Sequence, residues 1–244
     1  MHDTAFDIIK SRFSPQKSLR VLDTATGTGS FAQRALDSFP DWDLEVNDFE
    51  NQAISLDLKR YKLDLNLDFS DGFAEPGYDL ILAIEIIEHL ENPWHFMREV
   101  RKLLRKDGVL VLSTPNSDSA LDRLTYLMDG HAFYFGERGY TNSGGHITQI
   151  PDWLFKKIAK SSYYSSVELI SVVDTAPLIG LLVMLKLLLF MPLAGVYMRN
   201  KNKRSINVYI VVDMIGDKIN LINENTRFFR GIYKNHKRYV CGLG

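Results

Sequence analysis

"LDTATGTGS", residues 22–30, decides how this chain is read. An apolar pair, Val21-Leu22, runs into an acid, Asp23, and then into a loop of small residues. Gly27 and Gly29 hold alternate positions, and Ala25 stands where a third glycine would complete the series. Small residues let the chain reverse tightly and let backbone amides come close to a ligand. A helical pattern follows in residues 30–39 (Phe31, Ala32, Ala35, Phe39), and its amino end faces the same place. Alone the turn is a weak sign, since glycines also close ordinary β-α connections. The wider G-x-G-x-x-G spacing of a dinucleotide site is missing, and Asp23 disfavours a polyanion. An acid there suits a ligand carrying positive charge and hydroxyls.

Outward from the turn, strand and helix patterns alternate. Residues 19–25, 43–48, 61–65 and 109–116 read as short strands, and "YDLILAI" (78–84) is nearly continuous apolar, as a doubly covered parallel strand should be. Between the last two lies a helix. Asn92 caps it, Pro93 suits its first turn, Phe96, Met97, Val100, Leu103 and Leu104 form one face, and "RKDG" closes it at Gly108. Such a β-α series predicts an open parallel sheet with helices on both faces. Ligands in such sheets bind beyond the carboxyl ends of the strands, where the opening turn lies. After residue 116 the rhythm breaks. "SALDRLTYL" reads as a helix, but residues 128–146 are aromatic and glycine-rich without a period. A loop that long in a compact domain is a lid or binding loop, here bounded at 117–150. A helix at 151–161 and strands at 166–173 and 205–214 complete the pattern.

Composition is that of a soluble globular chain: 244 residues, 45% apolar and 24% charged, enough for one large α/β domain. Cys241 is the only cysteine, so no internal disulfide framework exists and a reducing, cytoplasmic setting is expected. "MHDTAFDIIKSRF" reads as a short amphipathic helix rather than a signal peptide. Charge is lopsided. Residues 196–244 carry ten Lys/Arg against three acids, +7, which leaves −8 for residues 1–195 in a chain of net charge −1. A basic end on an acidic body calls for an anionic partner or reads as a solvated tail.

Further motifs follow the turn in order. Asp48 ends the second strand about 20 residues on, where an acid takes ribose hydroxyls. Asp64 ends the third strand, the fourth runs into "EIIEHLENP", and the fifth gives "VLSTPN". With these five motifs the sequence resembles class I S-adenosylmethionine-dependent methyltransferases, nearest to quinone-biosynthesis O-methyltransferases and bacterial glycan-cluster methyltransferases. The resemblance covers residues 19–116 well and 144–162 more loosely. It implies a Rossmann-like, mostly parallel seven-stranded sheet with an antiparallel last strand and helices on both faces. It also implies that Asp23, Ala25, Gly27 and Gly29 line the amino-acid part of the cofactor and that Asp48 holds the ribose. Phe49 would lie beside the adenine, Asp64 and Leu65 would flank its edge, and Ala83 on the fourth strand is counted with them. Ala25 departs from the usual glycine. Its methyl narrows the turn without excluding binding.

A second constellation is Glu85, Glu88 and His89. On a helix starting after the fourth strand, i, i+3 and i+4 share a face at the carboxyl edge of the sheet. His146 from the aromatic loop joins them. The set is similar to the Glu-x-x-Glu-His plus distant His of metal-dependent RNA 2′-O-methyltransferases, which implies a divalent ion (Mg, Mn or Zn) on Glu85, Glu88, His89 and His146. Such an ion would lower the pKa of an acceptor hydroxyl. The same residues also read as a metal-free site with His89 as general base, Glu88 and His146 beside it, or as a purely structural turn. His95, beside Trp94, reads as a surface residue.

The third feature is "APLIGLLVMLKLLLFMPLAGVYM", residues 176–198, broken only by Lys186. Its length permits a membrane span, but its flanks are neighbouring strands of one sheet, so it must return to the side it left. A helical hairpin bent at Pro192, lying in a membrane interface, fits better, and Arg199, Lys201, Lys203 and Arg204 follow as anionic lipid favours. A buried subdomain or a subunit interface is the other reading.

The expectation is one domain, 1–244, with a lid at 117–150, a membrane-interface insert at 176–198 and a basic tail at 215–244. It would methylate an oxygen of a small-molecule or lipid-linked acceptor while peripheral on the inner face of the membrane. An RNA methyltransferase and a non-catalytic cofactor-binding protein are the alternatives. Near-neutral net charge and the apolar insert speak against nucleic acid.

Overall fold

Five parallel strands carry the first half of the chain. They are β1 (Arg20–Asp23), β2 (Asp43–Asn47), β3 (Lys59–Tyr61), β4 (Tyr78–Ile84) and β5 (Leu104–Pro115), in the spatial order β3-β2-β1-β4-β5. Beyond β5 lies β7 (Ser205–Val212), antiparallel to both β5 and β6 (Ser166–Val173), and β8 (His236–Val240) pairs antiparallel on the other side of β6. The structure, a computed structural model, describes residues 2–13, 18–49, 56–142, 144–173, 205–212 and 236–240. The expected insert at 176–198 lies outside these residues, as does the tail at 215–244 except for β8. No helix among the described residues is long and apolar enough to cross a membrane.

The near-continuous apolar run of β4 has the predicted physical cause. Ile81 and Ala83 point to one face, packing in a core with Phe96, Met97 and Val100 of α3 (Pro93–Leu103) and with Phe155 and Ile158 of α6 (Asp152–Ser161). Leu80, Leu82 and Ile84 point to the other, with Ile8 and Ile9 of α1 (His2–Phe13) and Phe31 and Ala35 of α2 (Ser30–Ser38). Alternate residues therefore meet helices on opposite faces, and no polar position is tolerated between them.

Four expectations are corrected. Eight strands are present among the described residues instead of seven, because residues 236–240 of the expected tail pair with β6. The third strand is Lys59–Tyr61 rather than 61–65. Leu63 beyond it bonds to a side chain, Asn47, and so leaves the backbone ladder. Helix α3 ends at Leu103 instead of running to Gly108, since Leu104 already pairs with Tyr78. Residues 105–108 then loop out before Val109 pairs with Leu80, with Asp107 at φ 65°. Gly108 is required there, because a Cβ would stand 2.9 Å from the carbonyl oxygens of both Arg105 and Tyr78. The helix read in "SALDRLTYL" is α4 (Ala120–Asp129), capped by Ser119, whose hydroxyl accepts the Asp122 N–H at 3.0 Å. Finally, the aperiodic stretch 128–146 contains a helix that its pattern does not show, α5 (Gly136–Asn142).

Candidate active site

The opening turn leaves β1 between its two neighbours and is tied to both. The Thr24 N–H donates to Leu82 O of β4 at 3.0 Å, and the Thr26 N–H donates to Asn47 O of β2 at 3.0 Å. Gly27 (φ 53°) and Gly29 (φ 80°) take the left-handed backbone that disfavours side chains, and Gly29 leads directly into α2. Asp23 is buried beneath the turn. Burial pushes its carboxyl up to about 6; the Thr26 hydroxyl and the Ala25 amide nearby oppose the shift, and the Asp48 charge adds to it. Asp48, half-buried, accepts the Gly27 N–H at 2.6 Å, so the two ends of the expected cofactor shelf already touch. Ala25 is half-buried beside the core.

The remaining expected cofactor residues divide. Phe49 is 61% exposed on the lip after β2. Asp64 closes a tight turn, accepting the Asn66 N–H at 2.9 Å, and Leu65 is buried beside it. Ala83 has no exposed surface and packs in the apolar core, which removes its side chain from the shelf. One residue was missed from sequence. Asn47, fully buried, donates from Nδ2 to Thr24 O (3.0 Å) and Leu63 O (3.2 Å) and accepts the Leu63 N–H at 2.9 Å. It joins the turn to the segment carrying Asp64. An asparagine closing a strand looks like a turn former, and only its place between two other segments reveals this role.

The second constellation forms where β4 ends, beside the turn after β1. Glu85 adopts φ 52°, a strained conformation for a residue with a Cβ, and its carboxylate accepts the Ser113 hydroxyl at 2.6 Å. Residues Ile87–His89 then make a single 3₁₀ turn instead of a helical face. Glu85 is thereby separated from the group it was expected to join. Glu88, His89 and His146 do come together: one ligand-capable atom from each lies within 4.8 Å of the others. The imidazoles of His89 and His146 meet edge to face, 4.7 Å between centroids. His146 Nε2 lies 3.9 Å from Glu88 Oε1.

Glu88 is the odd member electrostatically. Its side chain is fully buried, and neither carboxylate oxygen has a hydrogen-bond partner among the described residues. Burial drives its carboxyl well above the ordinary range, and the Glu85 charge adds to the effect. The same burial lowers both imidazoles, His146 further through His89. Residues 134–148 supply their supports. His146 Nδ1 donates to Tyr134 O at 3.1 Å, leaving Nε2 of the neutral ring bare. Gly144 and Gly145, at φ 71° and 92°, pack against His89, and the N–H groups of Ile147 and Thr148 both donate to Glu88 O. One carboxylate oxygen and two imidazole nitrogens, converging around a buried carboxyl, fit a divalent ion as well as a neutral proton relay.

Comparison with known proteins bears on the family and the fold. The family model of a methyltransferase domain matches residues 1–176. A malonyl-[acyl-carrier protein] O-methyltransferase of Halalkalibacterium halodurans is 26% identical over 119 residues, covering 45% of this chain and 44% of that protein. A ubiquinone biosynthesis O-methyltransferase of Pelagibacter ubique is 27% identical over 112 residues, covering 44% and 47%. This chain thus spans less than half the length of these curated relatives. Phosphoethanolamine N-methyltransferase 2 of Haemonchus contortus, solved with S-adenosyl-L-methionine, shares the fold at TM-score 0.58 and 14% identity, over 87% of this chain and 53% of that one. A SAM-dependent methyltransferase of Archaeoglobus fulgidus does so at TM-score 0.57 and 12% identity, over 87% and 94%.

Proposed function

The chain belongs to the methyltransferase-domain family, and from that premise we propose that it is an S-adenosylmethionine-dependent O-methyltransferase. One observation carries the acceptor side of this reading. Two neutral imidazoles and a buried carboxyl converge at the carboxyl end of β4, on the strand next to the turn that ends β1. Asp23 and the amides around Gly27 and Gly29 would hold the amino-acid part of the cofactor, Asp48 the ribose, and Phe49, Asp64 and Leu65 the adenine. The bound cofactor supplies an electrophilic methyl group. The protein then has to align and desolvate the acceptor and take its proton. His89 accepts the hydroxyl proton. His146 and Glu88 sit against it, and the burial that lowers both imidazoles leaves the ring unprotonated and able to take that proton.

The test is methyl transfer across a panel of phenols, sugars and lipid-linked hydroxyl compounds. His89→Ala and His146→Ala should lower turnover at least ~100-fold, the scale of general-base catalysis, with S-adenosylhomocysteine affinity within twofold of wild type. Turnover unchanged in both variants would remove the proton relay.

A second reading is favoured by the partnerless oxygens of Glu88: a divalent ion held by Glu88, His89 and His146. There it would lower the hydroxyl pKa. Exhaustive chelation separates the two, since the relay keeps full activity and the ion-dependent site loses it.

The acceptor is amphiphilic and the protein works on a membrane surface. Support comes from the apolar segment 176–198, the cations Arg199, Lys201, Lys203 and Arg204 after it, and the topology around it. Paired Val173 and Ser205 bracket that segment, and β6 runs parallel to β5, so its carboxyl end lies on the edge bearing the turn and Glu88. Flotation with anionic liposomes tests this. Wild type should float, and charge reversal at Lys201, Lys203 and Arg204 should abolish it. Wild type that never floats would point to a water-soluble acceptor.

A further inference from the structure

We infer that His95 and Glu99 of α3 are positioning residues for the cofactor's adenine, acting through the segment 64–70. The inference rests on the proposed placement of Asp64 and Leu65 at the adenine edge. Neither α3 residue stands in that site. His95 reads from sequence as a surface residue.

The structure places both against the outer side of that segment. His95 Nε2 donates to Leu67 O at 2.7 Å, and Asp68 Oδ1 lies 3.5 Å from the same nitrogen. Glu99 Oε2 accepts the Ser70 N–H at 3.1 Å and the Ser70 hydroxyl at 2.6 Å. One turn before His95, the Glu91 N–H donates to Asn66 Oδ1 at 2.9 Å. His95 and Glu99 stand one helical turn apart on one face of α3 and bind successive points of the segment, and Glu91, ahead of the helix, adds a backbone contact. Phe69 packs on Phe96 between them, centroids 5.8 Å apart. From the inner side, Asn47 fixes Leu63.

Glu99 is costly to place. Its carboxylate is 2% exposed yet remains ionised, held down by Lys102 and Ser70 against the effect of burial. A buried charge is retained only with full hydrogen bonding, and such bonding is directional. It therefore fixes where the segment sits and not merely that it is covered. Asn92 connects this grip to the acceptor side: it caps α3 by accepting the His95 N–H at 3.0 Å, three residues after His89. The adenine segment and the Glu88–His89 turn are both anchored at the start of one helix.

The experiment is calorimetric binding of S-adenosylhomocysteine and of S-inosylhomocysteine, in which a carbonyl replaces the adenine amino group. His95→Ala should weaken S-adenosylhomocysteine about tenfold and lose most of the wild-type preference between the two ligands. His95→Gln, which keeps a donor for Leu67 O, should restore both. Glu99→Gln, which keeps acceptors for Ser70, should stay within threefold of wild type, while Glu99→Ala should resemble His95→Ala. Should Glu99→Ala not fold, the half-buried His95 pair carries the test alone. Unchanged affinity in His95→Ala, or an equal loss for both ligands, overturns the positioning role. Wild type that binds neither ligand overturns the cofactor reading, and this inference with it, whereas a binding wild type with an indifferent His95→Ala overturns the inference only.

Discussion

Asp23→Asn should make the free protein more stable and the cofactor site useless. Burial moves the Asp23 ionisation from 3.8 to about 6. The sign is opposite to that of a salt-bridged acid. Below 3.8 the carboxyl is protonated whether folded or unfolded, and nothing is lost. Between 3.8 and 6 the unfolded chain releases its proton first, so stability falls as pH rises, and above 6 the loss is complete. Its size is about 3 kcal/mol, at 1.36 kcal/mol per tenfold in proton affinity. An asparagine never ionises and escapes this loss. The Asn variant should therefore melt roughly 6–12 °C above wild type at pH 7, at about 2–4 °C per kcal/mol for a chain of this size. At pH 4 the two should melt together. Calorimetry should show S-adenosylhomocysteine binding to wild type tightening as pH rises through 6, and binding to the variant weakened at least tenfold. A variant less stable than wild type at pH 7 would refute the reasoning, since Asp23 would then be ionised and compensated in the free protein.

Other variants probe other parts of the fold. Gly108→Ala drives a Cβ against two carbonyl oxygens and should cost about 1–3 kcal/mol in urea unfolding. Asn47→Ala strands Leu63 N–H and two carbonyls, and should cost about 1–3 kcal/mol while weakening S-adenosylhomocysteine; a stable variant with normal affinity would show the hub to be dispensable. Glu88→Gln replaces a carboxyl whose ionisation burial opposes, so at neutral pH its melting temperature should be no lower than that of wild type while turnover falls.

Legibility in the sequence followed the physics. β4 was readable over 78–84 because both faces are buried, and the start of α3 because Asn92 and Pro93 are local signals, confirmed by the Asn92 cap. Asp23, Gly27, Gly29 and Asp48 were readable because their spacing is set within one β-α-β unit. Glu88, His89 and His146 converge, although the helical face that brings them together in the sequence argument is a 3₁₀ turn. Glu85 was misplaced for that reason, its strained backbone sending the carboxylate to Ser113. Helix α5 carries two glycines, Gly136 and Gly139, and no apolar period, so only its surroundings define it. Strand β8 and the end of β3 depend on a partner's backbone and on the Asn47 side chain, neither of which leaves a mark on the residues themselves. His95 and Glu99 look like ordinary helix-surface residues until the segment 64–70 is laid against them.

The central claim, that the turn at 22–30 and Asp48 form an S-adenosylmethionine site beside the histidine pair, is met most directly by calorimetric titration of wild type and Asp48→Ala with S-adenosylhomocysteine. The account predicts one site per chain in wild type and a loss of about 1–3 kcal/mol in the variant, the value of hydrogen bonds to a charged group. No binding to wild type, or equal affinity for both proteins, would contradict it.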